Sequence, residues 1–312
     1  MPKVSVVIAT FNRSRILQDR ALRSIQNQTF KDWECLVVDD GSTDDTENIV
    51  KEAMKRDQRL RYFKKPNGGQ ASARNFGIRN SRGEYIAITD DDDEFLPGYL
   101  EAAVNTFKKL PEEITYLSCG TIIRDARGAE SYFISPLEPF WKYAIGNGWF
   151  FKRKVFFEDN LFLREGVVGF EDMEHHIRFH FSGQKGYVIQ EPLRVYYTAI
   201  GSRAHSWSKN YNQQRRDFEI FFKNNRMVYE NAGPEALAWI CRFGAVVNLQ
   251  SGAMKQGREL LRMSFFAKPS LFVTIYFVAS LFGHRFFIWF DYVKSRIMRF
   301  VRLHLSHPLP RQ

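Results

Sequence analysis

A run of four consecutive aspartates, placed directly behind a short apolar segment, constrains this chain more than any other feature. Residues 85–89 (YIAIT) are β-branched or aromatic apart from one alanine and predict a buried strand, so Asp90–Asp93 follow at its carboxyl end. Adjacent carboxylates repel one another unless water solvates them or a cation neutralises them. The run is therefore either a solvated acidic turn or a divalent-metal site that shares its ion with a phosphorylated ligand. In open α/β sheets ligands bind at the carboxyl ends of the strands, which favours the second interpretation.

The first forty residues indicate that the chain begins as a parallel sheet. Two continuous apolar segments, residues 3–9 and 33–38, flank a segment with helical spacing, residues 15–27. Continuous rather than alternating apolar strands that are separated by helices are typical of parallel sheets covered on both faces. We therefore predict an α/β fold for the amino-terminal part of the chain.

A second acidic pair follows the second strand. Asp39 and Asp40 end this strand, and a helix is predicted from about Asp44. Aspartate caps helices and turns well, so one of the pair has a structural explanation. Two adjacent carboxylates rarely cap the same turn, which leaves the other available for a ligand.

A glycine-containing loop opens the next helix. After a short strand at residues 60–63, residues 66–69 (PNGG) lead into a helix predicted at residues 70–80. Glycine before a helix lets the backbone approach a ligand closely. Arg74, in the first turns of this helix, is either a solvated side chain or one that reaches across a pocket to a base or a phosphate.

Composition excludes several classes of protein. The formal charge of +10 suits an anionic partner, but the chain has no recognisable nucleic-acid-binding motif, so we predict no nucleic acid. Cys35, Cys119 and Cys241 are widely separated and lack metal-ligand spacing, which predicts buried thiols in a reducing compartment. The apolar run at residues 4–9 is too short for a signal peptide and is better explained as the first strand.

Together these motifs resemble the inverting glycosyltransferases of family 2, which have the GT-A fold. The resemblance covers roughly residues 3–205, in the family's order and spacing. The matching segments are residues 4–12 (VSVVIATFN), 28–33 (QTFKDW), 37–46 (VVDDGSTDDT), 67–77 (NGGQASARNFG), 85–100 with the D-x-D pair Asp90 and Asp92, and 169–174 (GFEDME). The resemblance implies a Rossmann-like, mixed, mostly parallel sheet flanked by helices.

It also implies a donor site for a nucleotide-diphospho-sugar, usually a UDP-sugar, across the carboxyl ends of the first strands. Ala9 and Thr10 would line the nucleoside pocket. Asp40 would accept a hydrogen bond from the base, and Arg74 would approach the same base or its phosphates. Asp90 would face the ribose or the shell of a metal ion.

The metal implied by the resemblance is Mn²⁺ or Mg²⁺. Asp92 would ligate the ion that bridges the diphosphate, and a late histidine, His205, would complete its shell unless it is only part of a lid loop. Family members show a non-acidic residue between the paired acids, whereas this chain has Asp91 there. The sequence therefore leaves open, by one position, which aspartates of the run would bind the metal ion.

Inverting transfer needs a base that takes the proton of the acceptor hydroxyl, and Asp172 matches the family's position for it. Glu171 beside it would raise its pKa by repulsion and contact the acceptor, although acids at the start of the helix predicted at residues 171–181 also have a capping explanation. Trp149 is either a platform for an acceptor sugar ring or a core residue.

The last hundred residues differ from the rest, because the strand pattern ends near residue 210. Helices are predicted at residues 213–231, 234–250, 254–266 and from 269 onward. The apolar run at residues 270–282 is shorter than the roughly 20 residues that a membrane span needs. From Arg285 on, an apolar face with Phe286 and Trp289 and a separate arginine-rich face predict a basic amphipathic helix that suits an anionic membrane surface. Docking on the catalytic region or on a second copy, as in a homodimer, is the alternative.

We therefore divide the chain into a catalytic domain at residues 1–210 and an α-helical, membrane- or partner-associating region at 211–312. Within the first, the nucleotide-sugar half is about residues 1–110 and the acceptor half about 111–210. The combined hypothesis is a metal-assisted, inverting glycosyltransferase that uses a nucleotide sugar and a glycan or lipid-linked saccharide acceptor. It would act at the cytoplasmic face of the cell membrane, as family members do in bacterial polysaccharide or lipopolysaccharide synthesis.

Two alternatives belong to other classes of protein. A nucleotidyltransferase would need a glycine-rich loop after the first strand, and residues 9–14 (ATFNRS) lack the glycines. A non-catalytic nucleotide-sugar-binding protein would be expected to lack the base or one of the aspartate pairs, and all of them are present.

Overall fold

The protein is described by a computed structural model that covers residues 1–134, 149–166, 169–198 and 210–305, with side chains described up to residue 294. The chain divides into two compact units, Met1–Ser206 and Trp207–Gln312. The domain boundary expected at residue 210 stays a prediction. The assignment of donor and acceptor halves within the first unit stays a prediction.

The first unit is an α/β structure, as predicted, built on a nine-stranded mixed sheet. Its strands are β1 (Val4–Thr10), β2 (Trp33–Asp39), β3 (Leu60–Lys64), β4 (Tyr85–Asp90), β5 (Glu94–Phe95), β6 (Ile114–Asp125), β7 (Glu130–Phe133), β8 (Trp149–Lys152) and β9 (Lys185–Thr198). Its helices are α1 (Ser14–Leu17), α2 (Arg23–Gln26), α3 (Thr46–Arg56), α4 (Gln70–Asn80), α5 (Tyr99–Lys109), α6 (Lys154–Phe157) and α7 (Glu171–Phe181).

The sheet order is β3-β2-β1-β4-β8-β6-β9-β5, with β7 paired to β6. The first four strands are parallel, and the antiparallel strand β8 joins them to the second half, where β6 and β9 again run parallel. Every residue of β1 and β2 is buried, which explains their continuous apolar sequences. Because β1, β2 and β4 are parallel neighbours, their carboxyl ends meet at one edge.

Close packing of α4 against the sheet depends on one glycine. A Cβ added at Gly77 would lie 2.5 Å from Cγ1 of Val7 and 3.1 Å from Cγ2 of Val38. The absent side chain lets the helix approach β1 and β2, and the helix carries Arg74 to the carboxyl edge of the sheet.

Two parts of the first unit depart from the sequence expectations. The helix predicted at residues 15–27 is interrupted by a π-helical turn, Gln18–Leu22, between α1 and α2. β6, β7 and β8 were not predicted: β6 and β7 form a local hairpin, whereas β8 pairs with β6 and β4, which lie farther away in sequence. The β6–β9 ladder also has register shifts that break a simple alternation of polar and apolar residues.

The second unit is helical throughout its described part, as predicted. It contains α8 (Tyr211–Asn231), α9 (Pro234–Gln250), α10 (Met254–Ala267), α11 (Leu271–Leu281) and α12 (His284–Leu305). Helix α9 supplies much of its interior, since Ile240, Cys241 and Leu249 are fully buried. Among the described helices, none combines the length and the apolar character needed to cross a membrane.

Candidate active site

The carboxyl edge of the parallel strands collects most of the predicted donor-site residues. Pairing of β1 with β2 places Thr10 opposite Asp39, and pairing of β1 with β4 places Ala9 opposite Asp90. Asp40 follows directly, and its backbone N–H donates to the carbonyl oxygen of Thr10 at 2.9 Å. Both acidic pairs of the sequence therefore lie at the same edge of the sheet.

The four aspartates alternate between buried and partly open positions. Asp91 and Asp93 are 4% and 2% exposed, whereas the side chains of Asp90 and Asp92 are 19% and 16% exposed. Strand β4 ends at Asp90 and the chain turns at Asp91 and Asp92, so this difference in exposure is set by the turn. The two more exposed carboxylates are those of Asp90 and Asp92, the D-x-D pair of the sequence expectation, and their role as ligands stays a prediction.

Arg13 neutralises part of this acidic turn. Its Nη1 donates to Oδ1 of Asp91 at 3.0 Å and to Oδ2 of Asp92 at 2.7 Å, while the Thr10 hydroxyl donates to Oδ2 of Asp91 at 2.7 Å. Arg20, on the π-helical turn, donates to the carbonyl oxygen of Asp92 at 3.0 Å. Burial raises the pKa of Asp91 to about 6, against the opposing charge of Arg13, and raises the pKa of Asp92 as well.

Arg74 joins the end of β4 to the start of α7. Its guanidinium is 2% exposed and donates from Nη2 to Oδ1 of Asp90 at 2.7 Å and from Nη1 to Oδ1 of Asp172 at 3.0 Å. The Gln70 side chain also donates to Oδ1 of Asp90 at 2.5 Å. One buried cation therefore holds the predicted donor carboxylate and the predicted base at the same site, although they lie more than 80 residues apart.

Asp172 occupies the first turn of α7, with its side chain 36% exposed. Its desolvation by the surrounding protein raises its pKa, Arg74 opposes the shift, and the charges of Asp90 and Glu171 add to it. The first turn of a helix also favours a carboxylate through the exposed backbone N–H groups. The outcome is a partly open carboxyl group whose proton affinity is above that of an ordinary aspartate.

Asp40 is held by the glycine loop that precedes α4. Its Oδ1 accepts from the Lys65 ammonium at 2.7 Å and from the backbone N–H of Gly68 at 3.0 Å, and its Oδ2 accepts from the N–H of Gly69 at 2.7 Å. Gly69 adopts φ +87°, a conformation that favours glycine. The carboxylate is 4% exposed and lies where N–H groups converge on it.

The residues at this edge fit a divalent cation. Asp90 and Asp92 are hard oxygen donors on the open side of the turn, and ions such as Mg²⁺ are commonly held by one or two carboxylates together with substrate phosphates. Within the described ranges, no group of three or more His, Cys, Asp or Glu side chains is arranged to hold a metal ion. The predicted further ligand, His205, lies outside the described residues.

Three residues that were predicted to contact the donor or the acceptor are buried or partly buried. Ala9 is 7% exposed and clusters with Val38 and other small apolar residues. Trp149 is 5% exposed, and its ring stacks on Tyr116 with centroids 5.3 Å apart. This is the core position that the sequence left open for Trp149, and its acceptor role stays a prediction. Glu171, beside the base, is partly exposed.

Sequence reasoning missed the basic and amide partners of the acidic groups. Arg13, Arg20, Lys65 and Gln70 were not singled out, yet each donates to an aspartate at the sheet edge. A signal was present, because Lys65 directly follows β3 and the loop after β1 contains Arg13, so both lie behind parallel strands that end at this edge.

Comparison with known proteins places these features in a wider context. The family model for "Glycosyl transferase family 2" matches residues 5–168. Over 102 residues the chain is 46% identical to a GalNAc(5)-diNAcBac-PP-undecaprenol beta-1,3-glucosyltransferase of Campylobacter jejuni, a match that covers 32% of this chain and 33% of that protein. The matched segment thus spans about a third of the length of this curated relative.

Two solved structures share the fold. The S. aureus TarS 1–349 complex with UDP-GlcNAc superposes with a TM-score of 0.57 at 18% identity, covering 89% of this chain and 79% of that one. The mannosyltransferase PcManGT from Pyrobaculum calidifontis, in complex with GDP-Man and Mn²⁺, superposes with a TM-score of 0.57 at 19% identity, covering 92% of this chain and 83% of that one.

Proposed function

This chain belongs to glycosyltransferase family 2, and we propose that it transfers a sugar from a nucleotide-diphospho-sugar to a saccharide acceptor. The GT-A fold expected from the sequence is confirmed by the two solved neighbours. The observation that carries the proposal is the Arg74 bridge between Asp90 and Asp172. It brings a donor-side carboxylate and a candidate base to one site at the ligand-binding edge of the sheet.

The donor we propose is a UDP-sugar. Ala9 and Thr10 end β1 where the nucleoside would lie, and the Asp40 carboxylate already accepts N–H bonds from a neighbouring loop. The imide N–H of uracil is a further donor of this kind, so Asp40 suits a uracil base. Arg74 and Arg13 supply positive charge near the place where the diphosphate would bind.

The transfer would be metal-assisted. Asp92, with Asp90 beside it, would hold Mn²⁺ or Mg²⁺, and His205 would complete the shell. When bound, such an ion neutralises the negative charge that develops on the departing diphosphate, which contributes several kcal/mol of transition-state stabilisation. In this chain, Arg13 and Gln70 would orient the two carboxylates through the hydrogen bonds they already donate.

Asp172 would act as the base of an inverting transfer. Its carboxylate takes the proton of the acceptor hydroxyl while that oxygen bonds to the anomeric carbon, and the bond from this carbon to the diphosphate oxygen breaks on the opposite face. A positioned carboxylate contributes about 10²- to 10⁴-fold to the rate. The raised pKa of Asp172 increases its affinity for the proton it must accept, and Arg74 fixes its position.

The acceptor class we propose is a glycan or a lipid-linked saccharide. The Campylobacter relative is named for action on an undecaprenol-linked glycan. Glu171, next to the base and partly exposed, would accept a hydrogen bond from an acceptor hydroxyl. A lipid-linked acceptor would place the enzyme at the cytoplasmic face of the cell membrane.

A donor panel tests the proposal. Nucleotide release from UDP- and GDP-sugars is measured with Mn²⁺, with Mg²⁺ and with chelator, together with the melting temperature in the presence of each nucleotide. Asp172→Asn should lower turnover about 10²- to 10⁴-fold, while UDP should still raise the melting temperature of the variant. Asp32→Asn, an exposed carboxylate just before β2, is the matched control. Wild-type turnover in Asp172→Asn would overturn the role of the base.

The same panel separates the two alternative functions. Stabilisation by nucleoside triphosphates alone would favour a nucleotidyltransferase. Stabilisation by a nucleotide sugar, with no turnover of any donor, would favour a nucleotide-sugar-binding protein.

A further inference from the structure

The exposed apolar side chains of this protein are concentrated at the end of the second unit. Twelve large apolar residues between 265 and 292 are at least 37% exposed, about as many as in the whole of the remaining described chain. They are Phe265, Phe266, Leu271, Phe272, Ile275, Val278, Leu281, Phe282, Phe286, Ile288, Trp289 and Tyr292, and we call them the hairpin face. Such a concentration marks an interaction surface rather than the scattered exposure that is normal in soluble proteins.

Helical spacing gathers these residues on one side of α11 and α12. In α11, Leu271, Ile275 and Val278 are separated by four and three residues, so they share a face. In α12, Ile288, Trp289 and Tyr292 share a face in the same way. The surface is therefore built mainly by two helices, with Phe265 and Phe266 added by the end of α10, and not by the single helix that the sequence predicted.

The opposite sides of both helices are fully engaged within the unit. Tyr276 is 1% exposed, and its hydroxyl donates to Oδ1 of Asp291 at 2.5 Å, while the Gln250 side chain of α9 donates to Oδ2 at 2.9 Å. Phe287 is fully buried, and the Phe290 ring packs against Tyr276 with centroids 5.7 Å apart. Phe290 itself is partly buried by this contact.

Charge identifies the partner. From residue 254 to the end, the chain has ten Lys and Arg residues but only Glu259 and Asp291 as acids. Asp291 accepts from Tyr276 and also pairs with Lys294, with 3.4 Å between its Oδ1 and the lysine Nζ. Ten basic and two acidic residues leave this segment with a formal charge of +8. A second copy would bring a surface of the same sign against this one, whereas an anionic lipid surface would be attracted by about 1 kcal/mol per basic residue near it.

We propose that the hairpin face inserts into the interfacial region of an anionic lipid bilayer and lies flat in it. One-sided exposure of aliphatic and aromatic side chains beside basic residues is the pattern of helices that bind in the plane of a membrane. Trp289 and Tyr292 suit the headgroup level, where aromatic side chains with a polar atom are enriched. Membrane binding by the hairpin face does not depend on the catalytic chemistry of the first unit, because it can be measured without any sugar transfer.

Sedimentation with vesicles tests the proposal on the full-length protein. We expect binding to vesicles that contain phosphatidylglycerol, much weaker binding to pure phosphatidylcholine, and loss of binding at high salt. Replacing Leu271, Phe282 and Trp289 together by serine should lower partitioning at least about a hundredfold, since burial of one large apolar side chain is worth about tenfold or more. The control replaces Ile220 and Met227 of α8, which are also exposed, and should leave partitioning unchanged.

A second readout does not depend on the folding of the triple variant. Brominated lipids should quench tryptophan fluorescence of the wild-type chain, and Trp289→Phe should remove most of that quenching while its partitioning changes little. The absence of quenching in anionic vesicles would overturn the proposal. So would a concentration-dependent dimer, seen in sedimentation velocity without lipid, that the triple substitution dissociates, because the hairpin face would then be an interface between copies.

Discussion

Acidification should destabilise the first unit through one buried histidine on the helix that carries the proposed base. His175 of α7 is 4% exposed, and its ring centroid lies 4.6 Å from that of Phe179 and 5.9 Å from that of Trp149. Its Nε2 lies 2.8 Å from the carbonyl oxygen of Leu161, so this nitrogen carries the proton of a neutral ring and donates. Burial lowers the pKa of His175 to about 3.

The sign and size of the effect follow from this pKa. Between about pH 6.5 and pH 3 the unfolded chain binds a proton at His175 and the folded chain does not, so the free energy of unfolding falls as the pH falls. Each pH unit in this window costs about 1.4 kcal/mol, which amounts to about 2 kcal/mol at pH 5 relative to neutral pH. Above pH 7 both states carry a neutral ring, and the term vanishes.

Urea denaturation at pH 7 and pH 5 measures the effect, with His175→Gln as the comparison. The glutamine amide can donate to the Leu161 carbonyl but cannot titrate, so acid-sensitive groups elsewhere cancel in the difference between the two proteins. We expect the wild type to lose about 2 kcal/mol more than the variant between these pH values. Equal losses in the two proteins would refute the reasoning.

Two further predictions address the packing of α4 and the acidic turn. Gly77→Ala should destabilise the chain by about 1–3 kcal/mol in thermal melts, because the added Cβ would overlap Val7. Gly98→Ala is the control, since its Cβ would meet nothing within 4 Å. Equal melting temperatures for the two variants would contradict this prediction. Arg13→Gln removes the cation beside Asp92, so Mn²⁺ should raise the melting temperature of the variant more than that of the wild type. An equal rise in both proteins would show that Arg13 and the ion do not share the Asp92 carboxylate.

The first half of the sheet could be predicted because its signals are local. Continuous apolar segments predicted β1, β2 and β4 to within one residue of their ends, and the glycine loop predicted α4. Since parallel strands end at one edge, these bounds alone were enough to expect Thr10, Asp40 and Asp90 to lie close together, as they do.

The second half depends on contacts that no local pattern encodes. β6 pairs in parallel with β9 some 70 residues later, across register shifts, and strand pairing at this distance leaves no periodic signal in either segment. The partners of the acidic residues were missed for a related reason. Long side chains such as Arg13 and Lys65 read as solvated in sequence, and only the fold shows which carboxylate each one meets.

Five acids of the site each have a cationic partner. Arginine and lysine neutralise part of the charge and fix these carboxylates in place, while burial and the neighbouring aspartates still raise the pKa values of Asp91, Asp92 and Asp93. A bound donor would add the negative charge of its diphosphate, and its metal ion would add positive charge. Each protein cation would then interact with the diphosphate as well as with its aspartate. Removal of one member therefore changes the charge felt by all the others, and paired substitutions should deviate from additivity. The five ion pairs join Arg13 to Asp91 and Asp92, Arg74 to Asp90 and Asp172, and Lys65 to Asp40.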